Sequence, residues 1–147
     1  MPSYTTRQYD PAEVDIIIDK TSVSGYADGT FVKVERNADQ VTLSVGADGE
    51  STAALSQNRS GRITLTLQQS SPVNDILDAL AEALEARTGG FVPIMVKDNN
   101  GTTLASMKKG WVVKRASAGF AKDAETREWI LESGNLALKV GGQNEVG

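Results

Sequence analysis

The side chains able to do chemistry in this chain are nineteen carboxylates and fifteen cations, with no histidine and no cysteine among 147 residues. Without cysteine, disulfides and thiolate chemistry are excluded. Without histidine, the commonest metal ligand and the commonest general base near neutral pH are missing. Catalysis would fall to carboxylates or lysines alone. General acid–base work needs two carboxylates held in different environments. The candidates are Asp15 with Asp19, Asp48 with Glu50, and the late group Asp123, Glu125, Glu128 and Glu132. Nothing in their spacing fixes such a pair, and acids of this kind are ordinarily surface charge. No catalytic residue, cofactor or metal is expected, and an enzyme is disfavoured.

Other motifs point the same way. Asp98-Asn99-Asn100-Gly101 is rich in oxygen but lacks the spacing and distal Glu of a calcium loop, so it reads as a hairpin turn. Gly46-Ala47-Asp48-Gly49 and Gly89-Gly90 lack the lysine and the strand–loop–helix order of a phosphate loop. Lys108-Lys109 with Lys114-Arg115 is the one basic cluster; it reads as a solvated strand end or hairpin rim. Trp111 and Trp129 lie within alternating segments and read as core or interface anchors, not as base-stacking platforms. A formal net charge of −4 does not suit a protein that grips nucleic acid.

The elements that position these residues are mostly strands. Val14–Ile18, Phe31–Arg36, Val41–Val45, Ser51–Leu55 and Arg62–Gln69 are read as strands from their period-two alternation. Val92–Lys97, Thr103–Met107, Gly110–Arg115, Thr126–Glu132 and Leu136–Val140 follow as further strands. One strong helix is predicted over residues 72–87. Ser71 serves as its N-cap, Pro72 stands at the first helical position, and Ile76, Leu77, Leu80, Ala81 and Leu84 form one apolar stripe. The expected fold class is mainly β (α+β): a β-barrel or sandwich of about eight strands with the helix packed on its side. The length suits one domain, 1–147, with an N-terminal arm (1–13) and a flexible C-terminal tail (141–147). No apolar h-region follows the N-terminus and no segment is long and apolar enough to span a bilayer, so folding in a cytoplasm without membrane contact is expected.

The strands carry many neutral polar residues on one face. A monomer normally blunts its sheet edges with charge, Pro or bulges, whereas an oligomer can pair edges across subunits. Polymerisation through sheet edges is therefore expected.

A resemblance sharpens this. Gly25-Tyr26-Ala27-Asp28-Gly29-Thr30-Phe31, Val34-Glu35-Arg36-Asn37 and Val45-Gly46-Ala47-Asp48-Gly49-Glu50 occur in order with Asn58-Arg59-Ser60-Gly61 and Ile63-Thr64-Leu65-Thr66-Leu67. Ser71-Pro72 with Asn74-Asp75, Val96-Lys97-Asp98, Gly101-Thr102-Thr103-Leu104 and Thr126-Arg127-Glu128-Trp129 complete the set, spanning residues 14–142. The ordered set resembles the tail tube proteins of contractile-tailed bacteriophages, which are similar in fold to the tube protein of type VI secretion systems. The resemblance implies a virion structural protein, assembled in the host bacterial cytoplasm, whose hexameric rings stack into a hollow conduit inside a contractile sheath for genome delivery. The partners it implies are further copies of the chain, the tail sheath protein, baseplate and tail-terminator proteins, and tape-measure protein and DNA held in the lumen without tight binding. The alternative is a small β-rich baseplate or tail-terminator adaptor of a phage or phage-tail-like particle.

Two sets of residues follow as expectations. Thr42, Ser44, Arg62, Thr64, Thr66 and Gln68 would line the lumen, with Arg62 arguing against this unless an acid of a neighbouring subunit pairs with it. The polar excursion Gly46–Gly61 would reach the next ring or a neighbouring subunit, with Asp48, Glu50 and Arg59 in inter-subunit ion pairs.

Overall fold

The protein is described here by a computed structural model covering residues 5–27 and 29–146. Expectations touching residues 1–4, Asp28 or Gly147 lie outside the described residues. The strands are β1 (Val14–Ile18), β2 (Thr21–Ser22), β3 (Val32–Arg36), β4 (Val41–Val45), β5 (Ser51–Leu55), β6 (Gly61–Gln68), β7 (Val92–Asp98), β8 (Leu104–Lys114), β9 (Thr126–Ser133) and β10 (Leu136–Lys139). The helix α1 (Val73–Glu85) sits between β6 and β7. Its bounds are narrower than the predicted 72–87, within the usual scatter at helix ends.

The mainly-β expectation is borne out. Eight strands form one antiparallel sheet in the order β2-β1-β7-β8-β9-β6-β3, with β10 attached to β8. The barrel alternative is not realised, because β1 and β3 do not pair with each other. At one end, however, residues 22–27 run between the two sides. Val23 donates its N–H to Ile16 O (2.9 Å), Gln68 N–H donates to Gly25 O (2.8 Å), and Ala27 N–H donates to Thr66 O (3.2 Å).

The sheet folds around β8. Thr103–Met107 and Gly110–Arg115, expected as two strands, are one bent strand. Its first half pairs with β7 on one side and β10 on the other; its second half pairs with β9. The bend falls at Lys108–Gly110, where the register with β7 shifts; the register with β9 shifts further on, between Val112 and Lys114. A bulge of this kind strengthens twist and bends the strand. The two halves of the sheet therefore face each other across one core.

Strand periodicity builds that core. On β6, Ile63, Leu65 and Leu67 are completely buried, while Arg62, Thr64 and Thr66 are half-buried on the opposite face. On β9, Trp129 and Leu131 point into the same core, as do Ile16, Ile18, Ile94, Met107 and Leu136 from the other strands. The helix closes the core with Val73, Leu77 and Ala81, which share one face at helical spacing. Burying a side chain of Leu or Ile size stabilises by about 1.5–3 kcal/mol.

The helix is fixed to the sheet by a buried amide. Asn74 donates from Nδ2 to the carbonyls of Gln68 (3.0 Å), Gln69 (3.3 Å) and Ser71 (3.0 Å). Its Oδ1 accepts from Trp129 Nε1 at 2.9 Å. Ser71 Oγ accepts from Val73 N–H (3.3 Å) and donates to Ser24 O (2.6 Å), so the residue expected as the N-cap also holds residues 22–27, which form a strap between the two sides. On the solvent side, Arg115 meets Asp78 (3.4 Å), Glu82 (3.0 Å) and Glu85 (3.8 Å) of the helix.

Close packing makes Gly61 essential. A Cβ built there would lie 2.6 Å from Leu136 Cβ, and Leu136 is fully buried. Gly61→Ala should lower stability by roughly 1–3 kcal/mol through overpacking. Gly134→Ala, with nothing within 4 Å of its Cβ, serves as the control. Urea denaturation measures both, and equal midpoints would contradict this packing. In the same assay Trp129→Phe should cost about 1–3 kcal/mol, since Asn74 Oδ1 is left without its donor. A double-mutant cycle with Asn74→Ala should show coupling; strictly additive losses would mean that the bond contributes nothing.

Tyr26 stacks on Phe31 with ring centroids 4.7 Å apart. Burial first, and the Asp15 carboxylate second, raise its phenol above the ordinary 10.0. The neutral phenol is thus favoured by folding. Its contribution is complete below pH 10 and is lost as pH rises through the folded value. Tyr26→Phe should flatten the alkaline fall of the melting temperature, and an unchanged alkaline limb would count against this assignment.

Candidate functional site

The strands β3 and β6 do not end at the sheet. They continue beyond Arg36 and Gly61 as a ribbon, held by Asn37 N–H to Ser60 O (3.1 Å) and Ser56 N–H to Gln40 O (2.9 Å). The ribbon then becomes a separate two-stranded sheet, β4–β5, in register from Val41↔Leu55 to Val45↔Ser51. The second arm carries one residue more than the first between Arg36↔Gly61 and Val41↔Leu55, which marks a bulge at the base. The tip is a tight turn closed by Gly49 N–H to Gly46 O (3.0 Å) and Gly46 N–H to Glu50 O (2.8 Å). Gly49 takes a positive φ of 89° there, the role expected of the Asp-Gly pair.

Every residue of β4 and β5 is exposed. Alternation places Val41, Leu43 and Val45 on one face with Ala53 and Leu55, while Thr42, Ser44, Thr52 and Ala54 share the other. Leu43 is 67% exposed, Val45 61% and Leu55 71%. Only at the base does this face come near the rest of the chain, where Leu55 lines a crevice with Leu138 and Val140; an apolar strand face this open is the kind of surface that interactions use. The projecting unit therefore includes β4, whereas the expected excursion began only at Gly46.

The residues expected in ion pairs are separated along this hairpin. Asp48 and Glu50 stand at the tip, where Asp48 Oδ1 accepts from Glu50 N–H at 3.1 Å. Arg59 lies at the base, where its carbonyl accepts from Leu136 N–H (2.9 Å) and its side chain shares a crevice with Arg36 and Leu138. The residues expected to line a lumen also divide. Arg62, Thr64, Thr66 and Gln68 share the core-averse face of β6, whereas Thr42 and Ser44 sit on the detached hairpin. Arg62 finds its acid within the chain, Glu132 at 3.6 Å on β9. With the neighbouring Lys33–Glu35 pair at 4.0 Å, that face carries compensated charge.

The bend of β8 makes a second surface feature that strand periodicity does not announce. A cleft of about 490 Å³ opens outside the sheet, lined by Trp111, Ser106, Ala137 and Gly134, with Lys108 and Lys109 at its rim. Trp111 is held edge-on by Phe91, ring centroids 5.8 Å apart. Trp129, by contrast, is a core residue. Of the expected basic cluster, Arg115 is occupied by the helix acids, while Lys108 and Lys109 have no carboxylate within reach among the described residues.

No reaction centre emerges from the acids. Asp15 is bonded by Asn99 Nδ2 at 2.7 Å, and Asp19 is at a turn beyond the other end of β1. Asp98 is buried within its hairpin turn and accepts from Asn100 N–H (3.0 Å) and Gln143 Nε2 (2.9 Å). Among the described residues no three acids converge as metal ligands, and no helix is long and apolar enough to cross a membrane.

Known proteins share this arrangement. Residues 18–141 match the family model described as bacteriophage PhiTE tail tube protein. The chain is 30% identical over 151 residues to structural protein ORF10 of Pseudomonas phage KPP10, covering 96% of this chain and 86% of that protein. Among solved structures it is similar in fold to the sheath/tube terminator, in the extended state, of the extracellular contractile injection system PVC. That likeness has a TM-score of 0.65 at 12% identity, over 92% of this chain and 99% of the other. It is similar also to the tube-terminating cap of the anti-feeding prophage, with a TM-score of 0.62 at 7% identity over 95% of each chain. The family match spans nearly the whole sheet, the helix and the projecting hairpin: the chain belongs to the PhiTE tail tube protein family of bacteriophages.

Proposed function

We propose that this protein is a ring-forming structural subunit at the tube of a contractile phage tail, and that the β4–β5 hairpin carries its contact with a second copy. The observation that carries the reading is the apolar face of Val41, Leu43, Val45 and Leu55, open to solvent on a ribbon detached from the core. The family is a structural, non-enzymatic one of the phage tail, so the protein belongs to the virion.

Two roles fit such a ring. In the tube body, hexameric rings stack into a conduit inside the sheath, with tape-measure protein and DNA passing a lumen lined by Arg62, Thr64, Thr66 and Gln68. The compensated charge of that face supports loose contact with DNA, because phosphate affinity grows with uncompensated cations. The second role is a terminator or adaptor at the end of the tube, meeting sheath, baseplate or tube proteins. It is favoured by fold similarity to a tube terminator and a tube cap, each over more than nine-tenths of this chain. Negative-stain microscopy of the purified protein separates the roles: long tubes for the first, single closed rings for the second.

The same reading treats residues 1–147 as one domain, assembled in the host cytoplasm, whose arm and tail gain order on assembly. Residues 5–13 and 141–146 already pair with each other through Gln8 N–H to Asn144 O (3.2 Å), Val146 N–H to Thr6 O (2.8 Å) and Arg7 Nη1 to Gln143 O (2.9 Å), while the exposed Arg7–Glu145 ion pair at 3.6 Å adds little. Equal protease protection of the arm in free and assembled protein would argue against ordering on assembly.

Gln40 and Ser56 already hydrogen-bond across the ribbon, so a short Asn-Gly turn can replace residues 41–55. That variant should melt as a folded protein and remain monomeric in analytical ultracentrifugation. Leu43→Asp should weaken association at least about tenfold, as expected for a charge forced into an apolar contact. Normal assembly by both variants would end the hairpin proposal.

A further inference from the structure

The hairpin has one apolar face and an acidic tip, and the same molecule carries an apolar cleft beside two lysines. We propose that the Trp111–Ala137 cleft at the bend of β8 is the acceptor for the β4–β5 hairpin of a second copy of this chain. The inference rests on the proposed association through the hairpin and adds the surface that receives it.

Shape and polarity agree. The cleft is about 490 Å³, and Trp111, Ser106 and the exposed Ala137 are among its lining residues. Cavities of roughly 300–1,000 Å³ hold groups of several side chains, and the hairpin offers Leu43 and Val45 side by side on one strand face. Trp is among the residues most enriched at binding hot spots, where a ring in a pocket excludes water. The edge-on contact with Phe91 holds the Trp111 ring in place before a partner arrives.

Charge agrees as well. Residues 41–55 contain Asp48 and Glu50 and no cation. The cleft rim carries Lys108 and Lys109, neither with a carboxylate partner in the described chain. Arg115 is the member of that basic cluster with fixed partners among the described residues, held by Asp78, Glu82 and Glu85. When Leu43 and Val45 enter the cleft, the acids Asp48 and Glu50, three to seven residues further on around the tip, reach the lysines of the cleft. Apolar insertion supplies the affinity, and the acid–lysine contacts set the register.

Donor and acceptor are different surfaces of one chain. Such a heterologous contact generates rings when its rotation closes and open stacks when it does not. It therefore suits either role proposed above.

The native chain has no cysteine, so an introduced pair can report this contact alone. Leu43→Cys and Ala137→Cys, combined in one chain, should give a disulfide-linked ladder on oxidation, absent from either single variant. Separately, Asp48→Lys with Glu50→Lys, and Lys108→Glu with Lys109→Glu, should each raise the protein concentration needed for assembly by about tenfold or more. Carrying all four changes in one chain should restore it. Unmodified protein that assembles, while the cysteine pair gives no ladder and the lysine swaps leave assembly unchanged, would overturn the cleft and leave the hairpin reading standing. Unmodified protein that stays monomeric at every concentration would overturn both. If the lysine variant fails to fold, the cysteine pair decides.

Discussion

One buried amide couples the parts of this fold. Asn74 faces carbonyls of the turn that leaves β6 and, through Oδ1, the indole N–H of Trp129 on β9. A buried amide left unpaired is costly, so all of these partners must be in place together or not at all. The helix start, the turn after β6 and the middle of β9 are thereby fixed relative to one another. The apolar stripe of the helix could slide over a sheet; the amide sets where it stops. The strap at Ser24–Gly25 is then tied to the same corner through Ser71 and Gln68.

Beyond that corner the molecule divides into a part that is complete and a part that is not. The main sheet buries both of its leaves and the helix against one core. The hairpin buries nothing in its own chain. An isolated two-stranded ribbon is marginal in water, and here it is supported by continuity with β3 and β6 and by hydrogen bonds confined to its base, at residues 37–40 and 56–60. Selection for folding alone would not favour Leu43 and Leu55 at such exposed positions. Their presence is understandable in a protein that functions assembled, and membership of a phage tail tube family gives that setting.

Much of this was legible in the chain. Alternation over Val41–Val45, Ser51–Leu55 and Ile63–Leu67 was enough to place those strands and their faces, because side chains of a strand alternate whatever surrounds them. Ser71-Pro72 and the apolar stripe marked the helix. Three things were not legible, for one shared reason. Periodicity reports that a face is apolar, not what covers it, so the alternation of β4 gave no sign that it lies outside the core. It likewise divided Thr103–Met107 from Gly110–Arg115 at Lys108-Lys109, where the backbone bends and continues. The cleft beside Trp111 depends on that bend and on β10 arriving from far along the chain, so no local pattern contains it.

The continuity of hairpin and sheet has a mechanical side. A load applied to the hairpin tip passes through residues 56–60 and enters β6 along the axis of that strand. There it meets eight register pairs with β9, from Gly61↔Ser133 to Gln68↔Thr126, and five with β3. The bonds of such a ladder lie across the strands and share an axial pull in shear; they would break one after another only if the strand were peeled sideways. The most deeply seated strand of the fold is thus also its tension member, and a force on the tip is spread through the core before any single contact has to bear it.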